Sequence, residues 1–309
     1  MKSFKKNGAL LLSIFLLMSL LAACGTSGGS APAAPTAAED TAAVQESTQV
    51  TAEDTKAAEY PEDVKAIIDR GTLRVGVKNA VIGFGYQDPL TQEYAGLEIS
   101  LAKKIAEYLK VDIEFTAVTA ATRTELLDSG DIDCVLATFT ITDERKKSWD
   151  FSTPYFTDYV TVLVEKASGI TTLKDLLNKK VGVSSGSTSA KALVTAMTEG
   201  SIISKDKFSA DTFDPATWVE GVKFQQFDDY PTISTALSAG EIDAFCVDKS
   251  ILAIYNTDSR TYIADKFSPQ NYGVATKKGS GLSPVAEELI TKWLADGTVD
   301  TLITENKLK

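Results

Sequence analysis

The chain has no histidine and only three cysteines among 309 residues. Histidine is the commonest general base and metal ligand, so its absence removes Ser-His and Cys-His nucleophile pairs. Cys134 and Cys246 each sit in an apolar, strand-like run, and no metal-ligand spacing accompanies them. They read as buried thiols; a disulfide between them is the alternative that an extracellular setting permits. Positive charge is also short, with 31 Lys and Arg against 42 Asp and Glu. That excess argues against nucleic acid as a partner, and it means that any anion must be bound by a local cationic pocket.

Large apolar residues are nearly missing from residues 25 to 60, which are built of Ala, Thr, Ser, Gly, Pro and Glu. Such a segment cannot bury enough surface to offset chain entropy, and it reads as a flexible tether. Before it, Lys2, Lys5 and Lys6 precede an apolar stretch from Ala9 to Leu21. Residues 1 to 23 therefore read as a secretory signal, with an apolar core too short to span a membrane comfortably. Leu21-Ala22-Ala23-Cys24 looks like a lipobox, whose Cys24 would be diacylated and become the first mature residue; a plain signal peptide or an uncleaved anchor is the alternative. More than one lipid chain anchors a protein stably. The formal charge of −11 becomes −14 once the three leader lysines are gone, and −9 without the tether's six acids and one Lys.

Residues 61 to 309 are enough for a large core and exceed the usual single domain. Strand and helix alternate. Leu73 to Val77 reads as a strand, Leu97 to Leu109 as a helix with Leu97, Leu101, Ile105 and Leu109 on one face, and Val111 to Val118 as a strand. A helix over Arg123 to Ser129 leads to a strand from Ile132 to Phe139, and Tyr159 to Glu165 is another strand. A second series follows: Lys180 to Ser184, Phe224 to Phe227, a helix over Pro231 to Ala239, and Ile242 to Val247. The order βαβα predicts an α/β fold with mostly parallel, doubly wound sheets. Leu127-Asp-Ser-Gly-Asp-Ile-Asp-Cys and Leu237-Ser-Ala-Gly-Glu-Ile-Asp-Ala echo each other as a helix end, a glycine cap and a strand.

The stretch from Asp131 to Tyr155 carries the densest signal. Cys134 to Ala137 is a short apolar run of the kind found in a strand buried on both faces. Beyond it, Thr138 and Thr140 point the same way for as long as the strand lasts. Thr142 is placed to cap a helix whose first turn contains Asp143, Glu144 and Arg145. Hydroxyls, helix amides and a guanidinium would then converge at a strand end, able to grip a carboxylate. The same spacing fits a capped surface helix whose arginine pairs with a neighbouring acid, and spacing alone does not choose between them.

Ala137-Thr-Phe-Thr-Ile-Thr-Asp-Glu-Arg-Lys-Lys, followed by Phe151-Ser-Thr-Pro-Tyr-Phe, closely resembles the family-3 extracellular solute-binding proteins of amino-acid ABC importers. The resemblance runs from about Leu73 to the end. It implies a two-lobed, periplasmic-binding-protein-like (type II) fold joined by two crossovers, one near Asp158 to Thr161 and one just before Tyr272. Lobe 1 would comprise 61–160 and 272–309, and lobe 2 would comprise 161–271. It further implies that Thr138, Thr140 and Arg145 hold the α-carboxylate and α-amino group of the ligand. Gly186, Ser187 and Thr188 would add donors from the second lobe, and Asp248 an acid for the ammonium. The family's usual pair of acids after a glycine appears as Gly96-Leu-Glu-Ile-Ser; the second acid is missing, which puts local helix capping in question.

Lys78 and Arg123 occupy positions that face the cleft in this family. With Arg145 assigned to the α-carboxylate, two further cations call for a second carboxylate on the ligand, because unpaired buried charge is costly. The pattern Gly76-Val-Lys-Asn, Ala121-Thr-Arg, Asp229-Tyr-Pro and Ser268-Pro-Gln-Asn-Tyr-Gly is similar to the branch that binds aspartate and glutamate. Tyr230 would close the side-chain pocket, and Phe84, Tyr86 or Tyr272 would pack on the ligand's aliphatic part, although each of these could equally be core. The expected molecule is a monomeric, lipid-anchored, extracytoplasmic binding protein without cofactor or catalytic activity that delivers an acidic amino acid to an ABC permease. Glutamine or asparagine is the alternative ligand, and a dehydratase or a sensor domain on the same fold is the alternative class.

Overall fold

A computed structural model describes residues 60–308. The expected signal, Cys24 and its tether lie outside the described residues.

The first sheet has the order Asp112–Ala117, Thr72–Val77, Cys134–Leu136, Ala275–Lys277, Trp149–Phe151. Its first three strands are parallel, with Thr72 opposite Asp112 and Val75 opposite Cys134. The last two run antiparallel to their neighbours. In the second sheet the order is Lys223–Phe227, Lys180–Ser184, Ala244–Asp248, Phe156–Glu165, Arg260–Tyr262. Again three strands are parallel and the later ones antiparallel. Each lobe is thus a mixed sheet. The expected parallel core is present, and the antiparallel additions are strands that enter from the other lobe or return along an edge, so no covering crossover helix is needed to reverse them.

Phe156–Glu165 and Phe267–Tyr272 carry the chain between the lobes as an antiparallel pair, with Phe156 opposite Tyr272 and Asp158 opposite Gln270. The register slips between Phe267 and Pro269, where proline offers no amide and Ser268 adopts a left-handed φ of 50°. Such a bulge ends regular pairing and turns the strand.

Helix Leu97–Leu109 buries Leu97, Leu101, Ile105 and Leu109 against the first sheet. Each such side chain contributes roughly 1.5–3 kcal/mol, and an aspartate at Leu101 would break the packing. The missing second acid costs this helix little. Its first amides are taken by chain carbonyls, Leu97 N by Gly83 O at 2.8 Å and Glu98 N by Phe84 O at 3.1 Å. Glycines close both echoed helix ends, Gly130 at φ 85° and Gly240 at φ 71°, a conformation that residues with a Cβ adopt at a cost. The strands after them, Cys134–Leu136 and Ala244–Asp248, take equivalent places beside the first strand of their lobe's parallel group. Cys134 and Cys246 are free and buried, one in each sheet.

Two local expectations need correction. The strand expected to reach Phe139 covers only Cys134–Leu136, because Thr138 turns to φ 45°. The alternation that was to align Thr138 with Thr140 therefore does not operate. The helix expected after Thr142 is a single tight turn, Arg145–Lys147. Thr142 Oγ1 does accept from Arg145 N at 3.1 Å, but strand Trp149–Phe151 follows at once and leaves no room for a second turn.

Candidate ligand cleft between the lobes

The ends of the parallel strands from both lobes meet across a narrow gap. Lys78 follows strand Thr72–Val77 and is 4% exposed; Arg123 lies in the first turn of helix Thr122–Ser129 and is 2% exposed. Arg123 Nη1 donates to Ala137 O at 2.8 Å and Thr138 O at 3.2 Å, which clamps the turn that cuts the strand short. Its Nε is buried and has no hydrogen-bond partner. Arg145 reaches over the same turn, with Nη1 donating to Thr140 O at 2.8 Å and Nη2 to Gly186 O, in the other lobe, at 3.0 Å. Phe139 receives both guanidinium groups, at 3.9 Å for Arg123 and 4.7 Å for Arg145 from its ring centroid. Among the described residues Arg145 pairs with no neighbouring acid; Glu144 instead pairs with Lys191 of the second lobe at 3.4 Å.

The second lobe supplies Gly186, Ser187, Thr188, Tyr230 and Asp248. Gly186 has φ 72°, and a Cβ there would lie 2.8 Å from Ala120 O and 2.9 Å from Ala121 Cα, so only glycine lets the lobes approach this closely. Ser187 Oγ is buried without a partner, as is Thr138 Oγ1 across the cleft. The Tyr230 ring lies 5.5 Å from Lys78 Nζ. Asp248, at the end of strand Ala244–Asp248, accepts a hydrogen bond from the hydroxyl of fully buried Tyr272. Phe84 packs edge-on against Phe156 and Tyr272 beneath the site, and so belongs to the core. Tyr86 is half-buried in the small hairpin strand Gly85–Gln87.

Charge is concentrated here. Burial, and then the neighbouring Arg123, push the Lys78 ammonium well below its ordinary value. The same two causes bring Arg145 down to about 9. Burial raises the Asp248 carboxyl to about 7, against the pull of the Tyr272 hydrogen bond and of Arg123 and Arg145.

Two residues that join this cluster were not singled out from the sequence. Glu98 is fully buried, and its Oε1 accepts from Thr138 N and from the Tyr155 hydroxyl, both at 2.6 Å. Burial lifts it to about 7. Its signal in the sequence is the Gly96-Leu-Glu motif, where the acid also fits a helix's first turn. Gln270, on the returning strand, accepts from Thr140 Oγ1 and from Thr188 Oγ1, each at 2.8 Å, and so joins the two lobes. Beside Lys78 and Tyr230 the closed lobes leave a cavity of about 40 Å³, lined also by Asn79, Thr119, Ser184 and Asp228. A larger groove of about 610 Å³ runs along the hinge past Tyr159, Lys249 and Leu308, but none of the cleft residues lines it. The arrangement can hold a small molecule with one or more carboxylates and an ammonium group.

Residues 73–305 match the bacterial extracellular solute-binding proteins, family 3. Among curated proteins, the ABC transporter glutamine-binding protein GlnH of Bacillus subtilis is 31% identical over 299 residues, covering 94% of this chain and 93% of its own length. The glutamate-binding protein GluB of Corynebacterium glutamicum is 29% identical over 259 residues, covering 78% and 80%. Among solved structures, an ancestral arginine-binding protein bound to arginine superposes with a TM-score of 0.64 at 33% identity, covering 76% of this chain and 98% of that one.

Proposed function

As the chain belongs to the bacterial extracellular solute-binding proteins, family 3, we propose that it captures an acidic amino acid, glutamate or aspartate, between its lobes and presents it to an ABC permease. The observation that carries the acidic preference is the cation count in the cleft: Lys78, Arg123 and Arg145 together, with Arg145 alone sufficient for the α-carboxylate common to all amino acids. A second carboxylate gives Lys78 and Arg123 a partner, and buried charges without one are costly. Asp248 receives the α-ammonium together with the hydroxyl oxygens of Thr140 and Thr188, whose protons go to Gln270, and Thr138 and Ser187 supply hydroxyl donors to the α-carboxylate. Gly186 allows the close approach, while Tyr230 and Tyr272 wall the pocket. The lobe limits in this reading are 61–160 with 272–309, and 161–271.

Contacts from both lobes favour the closed form, so ligand shifts an open/closed equilibrium. The work done is binding and release, without bond chemistry. Lipid attachment at Cys24 keeps the protein on the extracytoplasmic face of the cell membrane, and Cys24→Ser is expected to release it or to leave its leader unprocessed.

Glutamine is the second reading, favoured by the similarity to GlnH. Calorimetric titration with glutamate, aspartate, glutamine, asparagine and arginine separates the two. Tightest binding of glutamate or aspartate is expected, and a preference for glutamine or arginine at equal salt sinks the acidic reading.

A further inference from the structure

Glu98, in the first turn of helix Leu97–Leu109, is fully buried and holds the amide of Thr138 at the cleft. Its Oε1 is saturated by Thr138 N and Tyr155 OH, while Oε2 is buried and has no hydrogen-bond partner. The charged and titratable groups around it come from separate elements. Lys78 faces it from the end of Thr72–Val77, Arg123 from helix Thr122–Ser129, and Tyr155 from the turn before Phe156–Glu165. Asp248 and Arg145 act on the same Lys78, and Tyr230 and Asp248 act on the same Arg123, Tyr230 more strongly than Glu98 does. Within the first lobe, Glu98 is therefore the acid facing the two cations assigned to the ligand's side chain.

A second carboxylate brought to those cations competes with Glu98 for them. Two carboxylates sharing a site do not both stay ionised without cost, and the one without solvent or a full set of donors takes the proton. We propose that Glu98 is the internal counter-charge of the Lys78–Arg123 pair, and that it takes up a proton from solvent when a ligand's second carboxylate enters, so that it sets charge preference without contacting the ligand. The inference rests on the acidic-ligand reading. The step is a single protonation: solvent supplies the proton, Glu98 Oε2 receives it, and release of the ligand returns it. Burial raises Glu98 to about 7, which brings its protonation into the neutral range where ligand binding can be followed.

Glutamine isolates the effect, because its α-ammonium and α-carboxylate use Asp248 and Arg145 as glutamate does. Binding of each ligand is measured by calorimetry in buffers of different ionisation enthalpy between pH 6 and 8. Glutamate is expected to take up about half a proton more than glutamine at pH 7. The glutamate-to-glutamine affinity ratio should rise about tenfold as pH falls from 8 to 6, since a species that gains protons on binding binds better where protons are plentiful. In Glu98→Gln the extra uptake should vanish, and at pH 8 the ratio should stand about tenfold above that of the unaltered protein, because a repelling charge is gone.

Unchanged uptake and an unchanged ratio in Glu98→Gln overturn the proposal. Should that variant not fold, Lys78→Arg decides. It replaces the other titrating group at the ligand's side chain with a fixed cation, and Asp248, also raised to about 7, meets the same α-ammonium in both ligands and cancels in their difference, so excess uptake that persists belongs to Glu98 and excess uptake that disappears belonged to Lys78. Glutamate binding without excess uptake defeats this inference alone, whereas failure to bind either acidic amino acid defeats the acidic-ligand reading and the inference with it.

Discussion

Arg260 in the second lobe and Arg123 at the cleft are equally buried, yet they are served very differently. All five donors of Arg260 are used: Nε to Glu165 Oε1 at 2.7 Å, Nη1 to Ser234 Oγ and Tyr255 O, and Nη2 to Ser234 O and Ser238 Oγ. Arg123 spends two bonds on one nitrogen and leaves Nε orphaned, and Arg145 makes two bonds through carbonyls that carry no charge. A guanidinium saturated by its own protein is a structural staple, holding strand Arg260–Tyr262 to helix Tyr230–Ser238. One left short of partners among other cations has capacity for something that enters from outside. Burial does not separate the two roles; donor saturation does.

The sharpest way to break this contrast is to remove each arginine and ask what is lost. Arg260→Met strands a half-exposed carboxylate and several serine and carbonyl groups, so stability is expected to fall by about 3–5 kcal/mol. That corresponds to roughly 10 °C in Tm for a domain of this size. The protein that remains folded should bind ligand as before, which calorimetry below the transition checks. Arg145→Ala should invert the pattern. Every amino-acid ligand loses its α-carboxylate partner and binds about 3–5 kcal/mol more weakly, while urea midpoints move by the equivalent of about 1 kcal/mol or less. A variant that unfolds but keeps its affinity would make Arg145 a second Arg260.

Selectivity is better tested at Lys78 than at Arg123, since Arg123→Met also removes the clamp on Ala137 O and Thr138 O. Lys78→Met keeps an apolar stem against the Tyr230 ring and deletes the charge. Glutamate should weaken by about 2–3 kcal/mol and glutamine by less than about 1 kcal/mol, so their affinity ratio should drop at least about fivefold. Equal losses for the two ligands would leave the side-chain carboxylate without its assigned partner.

Legibility in the sequence followed the range of the forces involved. Helix Leu97–Leu109 was readable to the residue because its apolar spacing is local. The glycine caps at Gly130 and Gly240 were readable for the same reason, as were the strand ends that carry Lys78 and Asp248. Strand direction was not, because the antiparallel returns depend on where the chain crosses between lobes. The short strand before Thr138 was hidden too. A β-branched residue at φ 45° is held there by Glu98, 40 positions away, and by Arg123, and no propensity announces such a turn. Gln270 stands in the Ser268-Pro-Gln-Asn-Tyr-Gly motif, but its role is not legible there, since its partners Thr140 and Thr188 lie 130 and 82 residues distant.

Gln270 gives the smallest effect and the most specific one. Its Nε2 donates to Ser268 O at 2.9 Å, which fixes the amide so that Oε1 faces both threonines. Thr140 belongs to the first lobe and Thr188 to the second, and a single buried acceptor serves them together only when the lobes are closed. Gln270→Ala removes that shared acceptor without touching any charge in the cleft. Each neutral hydrogen bond contributes roughly 1 kcal/mol net, and the two threonines recover part of it by bonding the ligand or water. Affinity should therefore fall about threefold to tenfold for every ligand alike, with the glutamate-to-glutamine ratio unmoved. The loss is expected as a faster off-rate, because the closed form is what has been weakened. Small-angle scattering at saturating ligand should still show closure, and stopped-flow release checks the rate. A change in the ratio would place Gln270 on the ligand's side chain, and a stability loss with affinity intact would make it another internal staple, as Arg260 is.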